Sequence, residues 1–350
     1  MFFISLVMNF IVFVVRFKYV RFNPFPLMVV FIYLVISFFT LEQNQELSSK
    51  TYLVNVLYIV NVIIFSLAML TFSQKLFSKV VFAILCTAVF VLILQHAFYI
   101  LFSYYIDFHK ILTLGMYSSR NEGGMFSRVG LIRPTGFAIE PSNFSILVMY
   151  LSLLYYCVSK NAKITTYFLI SACLTLSFAA ASIAAILIVF INYKVFISSK
   201  AKGVILSLVI LFLFLLLFSL VYYRITAGVG YDAVGSRMIL IYYLLEQDIY
   251  HLFLGNGIYS FSGSIDFNGF YLTEAQIKDS GLWLNLIFSV GILGFFGFLY
   301  YIKWAVFNNV ILFVFIFLIM MTKFDYMQPL FWLVILLVPS LVRARLRYYA

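Results

Sequence analysis

The chain has 350 residues, of which 65% are hydrophobic and only 10% charged, and its mean hydropathy is +1.09. A soluble domain is about half apolar, so this composition excludes one and points to apolar runs that cross a membrane as helices. A formal net charge of +11 would suit nucleic acid, but the placement of the basic residues argues for membrane topology instead, and no nucleic-acid partner is expected.

Residues 1–15 lack a basic n-region and a small-residue cleavage site, so they predict a helix that stays, not a signal peptide. Apolar runs predict spans at 2–15, 25–41, 53–72, 78–103, 142–158, 164–178, 180–193, 203–223, 281–301, 304–321 and 328–342. Alternating the loops separates the charges. Arg16, Lys18, Arg21, Lys75, Lys79, Lys160, Lys163, Lys194, Lys200, Lys202, Lys303, Arg343, Arg345 and Arg347 fall on one side with no acidic residue. The other nine basic residues and all twelve acidic ones fall opposite. The positive-inside rule makes the first side cytoplasmic. The expected fold is an all-α integral membrane protein of about eleven spans, one polytopic domain over 1–350, with the N-terminus outside and the C-terminus inside.

The run 164–192 tests this topology. As one helix it would carry one of its flanking lysine groups to the outside. Two half-runs of about 14 residues rise only about 21 Å each, short of a core of about 30 Å. The reading is two short helices meeting near Ser177 to Ser182, with the hydroxyls of Thr175, Ser177 and Ser182 satisfying the freed backbone.

Cytoplasmic loops are short and hold no G-x-x-x-x-G-K-[ST], which excludes a cytosolic nucleotide-binding domain. Two external segments are long, 104–141 and 224–280, and loops of that length are usually functional. In the second, SRMILIYYLLEQDIYHLFLG reads as an amphipathic helix lying at the interface. Cys86, Cys157 and Cys173 all lie in apolar runs, which speaks for inert residues, not a disulfide framework. No H-E-x-x-H, C-x-x-C or paired-aspartate cluster suggests a metal, and no cofactor is expected.

The stretch RPTGFAIEPSNFS, 133–145, places Arg133 and Glu140 just before an apolar run. Glu140 precedes Pro141, which favours extended dihedrals at Glu140 and a helix starting at the proline. Two readings of Glu140 stand side by side: a carboxylate at the head of a helix, and a general base or substrate-positioning group. Arg120, Arg128 and Arg133 crowd one external loop, and Arg224 and Arg237 flank the other. Arginine's planar fork matches phosphate, so these five are candidate ligands of a phosphate-bearing lipid, against solvated loop charges. Asp279-Ser280 reads as an N-cap before the ninth span, with Asp279 also a candidate carboxylate. Gly291, Gly294 and Gly297 suggest close helix packing. His96, mid-span beside Gln95, reads as a hydrogen-bonded bundle residue, while His109 and His251 are external.

Arg133 to Ser145 resembles the R-P-x-G-x-x-x-E-P-[SN] motif of Wzy-type O-antigen and capsular polysaccharide polymerases. Gly235-Ser236-Arg237, Leu254-Gly-Asn-Gly-Ile258 and Gly291-Ile-Leu-Gly294 extend the likeness over about 115–300, and Arg224 with Gly235 keeps an R-x10-G spacing. The resemblance implies a GT-C-like bundle in the bacterial cytoplasmic (inner) membrane. The activity implied is metal-independent transfer of a growing glycan from undecaprenyl diphosphate to an incoming lipid-linked repeat on the outer face. Lipid diphosphate supplies the energy, arginines meet the anionic leaving group, and Glu140, Asp279 and His251 are candidates for taking the acceptor proton. The partners implied are the undecaprenyl-diphosphate-linked oligosaccharide and the bilayer, with a chain-length regulator and a flippase as candidates. The related O-antigen ligases carry a histidine where this chain has Asp279-Ser280 and often Ser-Arg where it has Ser177-Phe178, and both departures favour polymerase over ligase. A lipid-linked oligosaccharide flippase is the alternative from another class. It needs polar residues along a mid-membrane path, and here the charges collect in the external loops.

Overall fold

The computed structural model describes residues 2–16, 28, 49–69, 73–119, 132–193, 204, 208, 233–256, 264–267, 270–306, 309–322 and 329–349. Apart from residues 28, 204 and 208, the expected spans at 25–41 and 203–223 lie outside the described residues, as do Arg120, Arg128 and Arg224. The chain divides into two compact units. One comprises Met1–Phe77, Gly235–Phe313 and Phe324–Ala350, and the other Ser78–Val234 and Val314–Lys323.

The second unit is built on α3 (Gln74–Phe102), which starts in the first unit, then short α4 (Phe108–Leu112), α5 (Pro141–Ser159), α6 (Ala162–Ala172) and α7 (Phe178–Ile191). α3 has 29 residues and rises about 43 Å, more than a bilayer core. α5 begins on Pro141, whose missing N–H and fixed φ suit the first helical position. It is buried along most of its length, including Phe144, Val148, Met149 and Tyr150.

The apolar run after Lys163 is broken as its length requires. α6 ends in a 3-10 turn at Cys173–Thr175, Leu176 takes left-handed dihedrals (φ 51°) and Ser177 is extended before α7. Asn192, which closes α7, donates from Nδ2 to Thr166 Oγ1 at 2.8 Å, near the start of α6. The two helices therefore run antiparallel, and the run is a hairpin whose ends return to one level. Its arms rise only about 16 and 21 Å. Thr175 does serve the broken backbone, donating to Ala172 O at 2.9 Å. Ser177 does not cap α7 with its side chain, a correction to the expected role. Thr175 and Ser177 are buried at the break, and His96 reaches it from α3.

In the first unit, α1 (Phe2–Arg16) packs on α2 (Ser49–Met69), joined by Asn9 Nδ2 donating to Asn61 Oδ1 at 2.9 Å. The expected interfacial helix is two helices, α8 (Ala233–Glu246) and α9 (Ile249–Leu254), divided at Gln247 and Asp248. The break follows from Asp248, which is extended (ψ 157°) and caps the second helix. Large apolar side chains Met238, Tyr242, Leu245, Ile249 and Phe253 are exposed at steps of three and four. The stripe continues across the break. A small antiparallel hairpin follows, β1 (Ser264–Phe267) and β2 (Phe270–Thr273), paired from Ser264 with Thr273 to Phe267 with Phe270. Thr273 and Gln276 then form a capping box for α10 (Glu274–Asp279).

α11 (Leu282–Ala305) is bent at Gly291, whose dihedrals (φ 68°, ψ −177°) are not helical. The bend is large. Trp283 lies 5.4 Å from Phe295 and 6.1 Å from Phe298, ring centre to centre. A straight helix would separate residues 283 and 295 by about 18 Å. The later arm meets α13 (Pro329–Tyr349), where Tyr301 OH donates to Ile335 O at 2.9 Å. α12 (Val310–Ile319) crosses the division between the units. Among the described helices, α3, α5 and α11 are long and apolar enough to cross a membrane, and shorter apolar helices accompany them. The described chain is a mostly helical membrane protein.

Candidate functional site

The RPTGFAIEPSNFS stretch is a strap leading into α5. Glu140 occupies the N-cap position with extended dihedrals (φ −129°, ψ 148°), as its place before Pro141 predicts. Its carboxylate does not cap the helix, and instead accepts from Ser142 Oγ at 3.4 Å. Arg133 lies at the other end of the strap, partly buried, with Nε shielded from solvent.

Three side chains fasten the strap between these ends. Gln95 on α3 is fully buried. Its Oε1 accepts the Gly136 N–H at 2.9 Å, and its Nε2 donates to Ile106 O at 2.9 Å and to Tyr105 OH at 3.1 Å. Tyr105 OH lies 2.7 Å from Thr135 Oγ1 and accepts the Thr135 N–H at 3.3 Å. His109 Nδ1 donates to Phe137 O at 3.2 Å. A buried carbonyl or amide left unpaired in an apolar surround is costly, so this network decides the strap's course. Gly136 completes it. Its φ is +56°, and an added Cβ would enter the ring of Phe144. Phe137 packs edge-on to Phe144 at 6.0 Å and to Phe108 at 5.8 Å.

Asp107 caps α4 through its side chain, accepting from Lys110 N at 2.9 Å, and its other oxygen accepts from Ser119 N at 2.8 Å. Burial by itself pushes the Asp107 carboxyl up, but these two accepted N–H groups outweigh it and hold the group below the ordinary carboxylate range. His109, which supports the strap, sits on the helix that Asp107 caps.

Of the other candidates, Arg237, His251 and Asp279 belong to the first unit. Asp279 is not an N-cap. It closes α10, Ser280 is that helix's C-cap, and Gly281 stands before α11 at φ 102°. Serine turns back to its own helix, Oγ donating to Ile277 O at 2.6 Å. Arg237 follows the same logic. Its Nε donates to Ser280 O at 3.1 Å and its Nη2 to Asp279 O at 3.4 Å, a cation on the carbonyl end of α10. Leu240 and Leu244, three and seven residues on, bury the same face of α8 against Ile277 and Phe288.

Asp248 and His251 form a pair. Asp248 Oδ1 accepts the His251 backbone N–H at 2.9 Å, and Oδ2 accepts from His251 Nδ1 at 2.5 Å. Both side chains are exposed, and the accepted N–H groups of His251 hold the Asp248 carboxyl below its ordinary range. Burial pushes the Tyr243 phenol up, and the charge of Asp248 adds to this.

α9 ends against the bend of α11. An added Cβ at Gly255 would meet Ser289 O, and one at Gly291 would meet Phe253 O. The Phe288 carbonyl accepts from Asn256 N at 2.8 Å and from Asn256 Nδ2 at 3.0 Å, and Nδ2 also donates to Gln247 Oε1 at 3.1 Å. The expected packing role of the glycine triplet narrows to Gly291. Gly294 faces only Val290 of its own helix, and Gly297 has open space.

Sequence reading missed Gln95, Tyr105 and His109 as the strap's fasteners and Asp248 as the partner of His251. The last had a signal, since Asp-x-x-His at a helix start puts the carboxylate beside both the ring and its backbone N–H. Compared with family models, with curated proteins and with solved structures, the chain finds no significant match.

Proposed function

We propose that the protein is a surface-polysaccharide polymerase of about eleven spans in a GT-C-like bundle, active on the outer face of a bacterial cytoplasmic membrane. It transfers the growing glycan from undecaprenyl diphosphate to an incoming lipid-linked repeat. The observation that carries this reading is the strap of Arg133 to Ser145. An arginine and a carboxylate stand at its two ends, its backbone is fixed by Gln95, Tyr105 and His109, and it opens directly into the buried helix α5. Such rigidity is what a site must have to hold a diphosphate in place while its glycan departs. Arg133 is the described candidate for that clamp, with Arg120, Arg128 and Arg224 completing it. Arg237 orders the entrance to α11 through backbone carbonyls. Transport is less well supported. The polar side chains of Gln95, buried, and His96, half-buried, are committed to backbone groups and do not line a path for a charged headgroup.

Deleting the gene in its host and resolving the surface glycan by gel tests the reading. Core carrying a single repeat, with the long ladder gone, is expected, and complementation by Arg133→Ala or Glu140→Gln at normal protein level should leave it gone. Bare core with long lipid-linked chains would mean a ligase. Bare core with repeats stranded on the cytoplasmic leaflet would mean a flippase and overturn the proposal.

A further inference from the structure

We propose that the segment from Tyr104 to Tyr117, ahead of the strap, is an anchor lying in the bilayer interface at the C-terminal end of α3, with its apolar side chains among phospholipid acyl chains. This requires only that α3 crosses the membrane, and it stands apart from the activity proposed above. Three observations carry it.

The first is depth. Lys75 and Lys79 are exposed at the start of α3, and from Val80 to Ile106 the sequence holds no Asp, Glu, Lys or Arg. From Lys79 to Ile100 the helix rises about 32 Å, enough to span a core of about 30 Å. Ile100 therefore marks the far boundary of that core. The chain then turns back. Gln95, about 8 Å short of Ile100 along the helix, donates to the Ile106 carbonyl at 2.9 Å and to Tyr105 OH at 3.1 Å. α4 starts two residues later. Gln95 also accepts the Gly136 N–H, and the next residue, Phe137, holds α4 through His109 Nδ1 on its carbonyl at 3.2 Å and through the ring of Phe108 at 5.8 Å. An interfacial segment buries its apolar face about 5–10 Å into the headgroup and acyl boundary, and α4 is held at that depth.

The second is what the segment exposes. Tyr104, Ile111, Leu112, Leu114, Met116 and Tyr117 are all exposed, Leu114 to 88%. Leu114 also has left-handed dihedrals (φ 52°), directly before Gly115 at φ 85°. Glycine or asparagine suits such a position, and a leucine strains it. In water this leucine would be unfavourable twice, in its backbone and in its surface. Among lipid its side chain is buried. Lys110, exposed on the same short helix, has a stem long enough to bring its ammonium to the phosphate level.

The third is the backbone. The turn after α4 is irregular, yet five consecutive N–H groups are paired within the segment. Thr113 N donates to His109 O at 2.9 Å, Leu114 N to Ile111 O at 3.2 Å, Gly115 N to Lys110 O at 2.8 Å and Met116 N to Thr113 O at 3.1 Å. Tyr117 N donates to Thr113 Oγ1 at 3.3 Å. Water would serve the amides of a solvated loop, whereas a segment among acyl chains must pair its own. Because α4 is bonded to the strap through His109, the anchor also ties the strap to the membrane surface.

The test places a fluorophore on Leu114→Cys in the full chain carrying Cys86→Ala and Cys173→Ala, with buried Cys157 left in place. The protein is reconstituted in phosphatidylcholine–phosphatidylglycerol vesicles. Spin-labelled phospholipids carry the quencher at the headgroup, near the top of the acyl chain or near its end. Ile93→Cys, exposed on α3 and about 10 Å inside the boundary, is the reference for the core. At position 114 the headgroup and upper-chain labels should quench more than the chain-end label, and at position 93 the order should reverse. No quenching at 114 by any of the three, with 93 quenched, overturns the proposal, whether the segment is in water or covered by protein. Leu114→Asn gives a second measurement that needs no label. Asparagine relieves the backbone, so a segment in water would keep or raise its unfolding midpoint in the same vesicles. The anchor predicts a lower midpoint, and one equal to or above the wild type overturns it.

Discussion

His96 Nε2 donates to the carbonyl of Leu174 at 2.8 Å, so a side chain of α3 satisfies the backbone where the α6–α7 hairpin turns. Leu174 lies in the 3-10 turn that ends α6, and Leu176 beyond it is left-handed, so the regular ladder cannot continue there. An intramembrane histidine here has a structural occupation. His96→Leu should destabilise the protein by about 1 kcal/mol, what a typical hydrogen bond contributes, since both partners are half-buried. His96→Gln keeps a donor and should recover part of the loss. Thermal unfolding in detergent, read against the wild type, decides, and equal stability of the leucine and glutamine variants would refute the role.

The strap predicts a larger effect. Gln95→Leu removes one acceptor and two donated bonds at a fully buried position, leaving the Gly136 N–H and Ile106 O unpaired. Gly136→Ala meets two obstacles, a φ of +56° and the ring of Phe144. Each should cost more than about 2 kcal/mol. In a Phe144→Leu background the alanine should lose its steric share and keep its backbone share, so the two changes combine less than additively. Additive losses in the double-mutant cycle would mean that the ring is not the obstacle.

Much of the second unit was legible because its sequence carries backbone constraints. Pro141 fixes where α5 begins and makes Glu140 extended. The run after Lys163 is too long for one span within the charge pattern and too short for two, and it folds back at Cys173 to Ser177, ahead of the expected Ser177 to Ser182, so that Ser182 lies within α7. Side-chain partners distant in sequence were not legible. Nothing in the order of residues joins Gln95 to Gly136, 41 positions on, or His96 to Leu174, 78 on. Asp279 misled for a related reason. Aspartate before an apolar run is the usual sign of a cap, but Thr273 and Gln276 start a helix just upstream that uses Asp279 as its last residue.

Asp107 makes the α4 region sensitive to acid. Its folded-state carboxyl lies below the ordinary value, so its contribution is fully present above the unfolded value, about pH 3.9, and is lost as pH falls through the folded one. Protection of the Lys110 and Ser119 amides, corrected for intrinsic exchange, should hold from neutral pH to about pH 4 and decline below it. Asp107→Ala should lack that protection at every pH. A decline already complete above pH 5 would assign the loss to a different group.

The three glycines of α11 should respond differently to alanine, and the contrast separates a hinge from a helix face. At Gly291 the backbone is at φ 68° and a Cβ would press on the Phe253 carbonyl, a backbone atom that cannot step aside without moving α9. Gly291→Ala should therefore cost several kcal/mol and separate α9 from the bend, which also displaces the Asp248–His251 pair. At Gly297 nothing lies within 4 Å of the added carbon and the residue is helical. There alanine should leave stability unchanged or raise it by about 0.5–1 kcal/mol, the difference between the two residues in a helix interior. Gly294→Ala should fall between, since its Cβ meets only the side chain of Val290. Unfolding midpoints of the three variants in one detergent give the ranking. Equal effects at 291 and 297 would mean that α11 runs straight and that Trp283 does not meet Phe295.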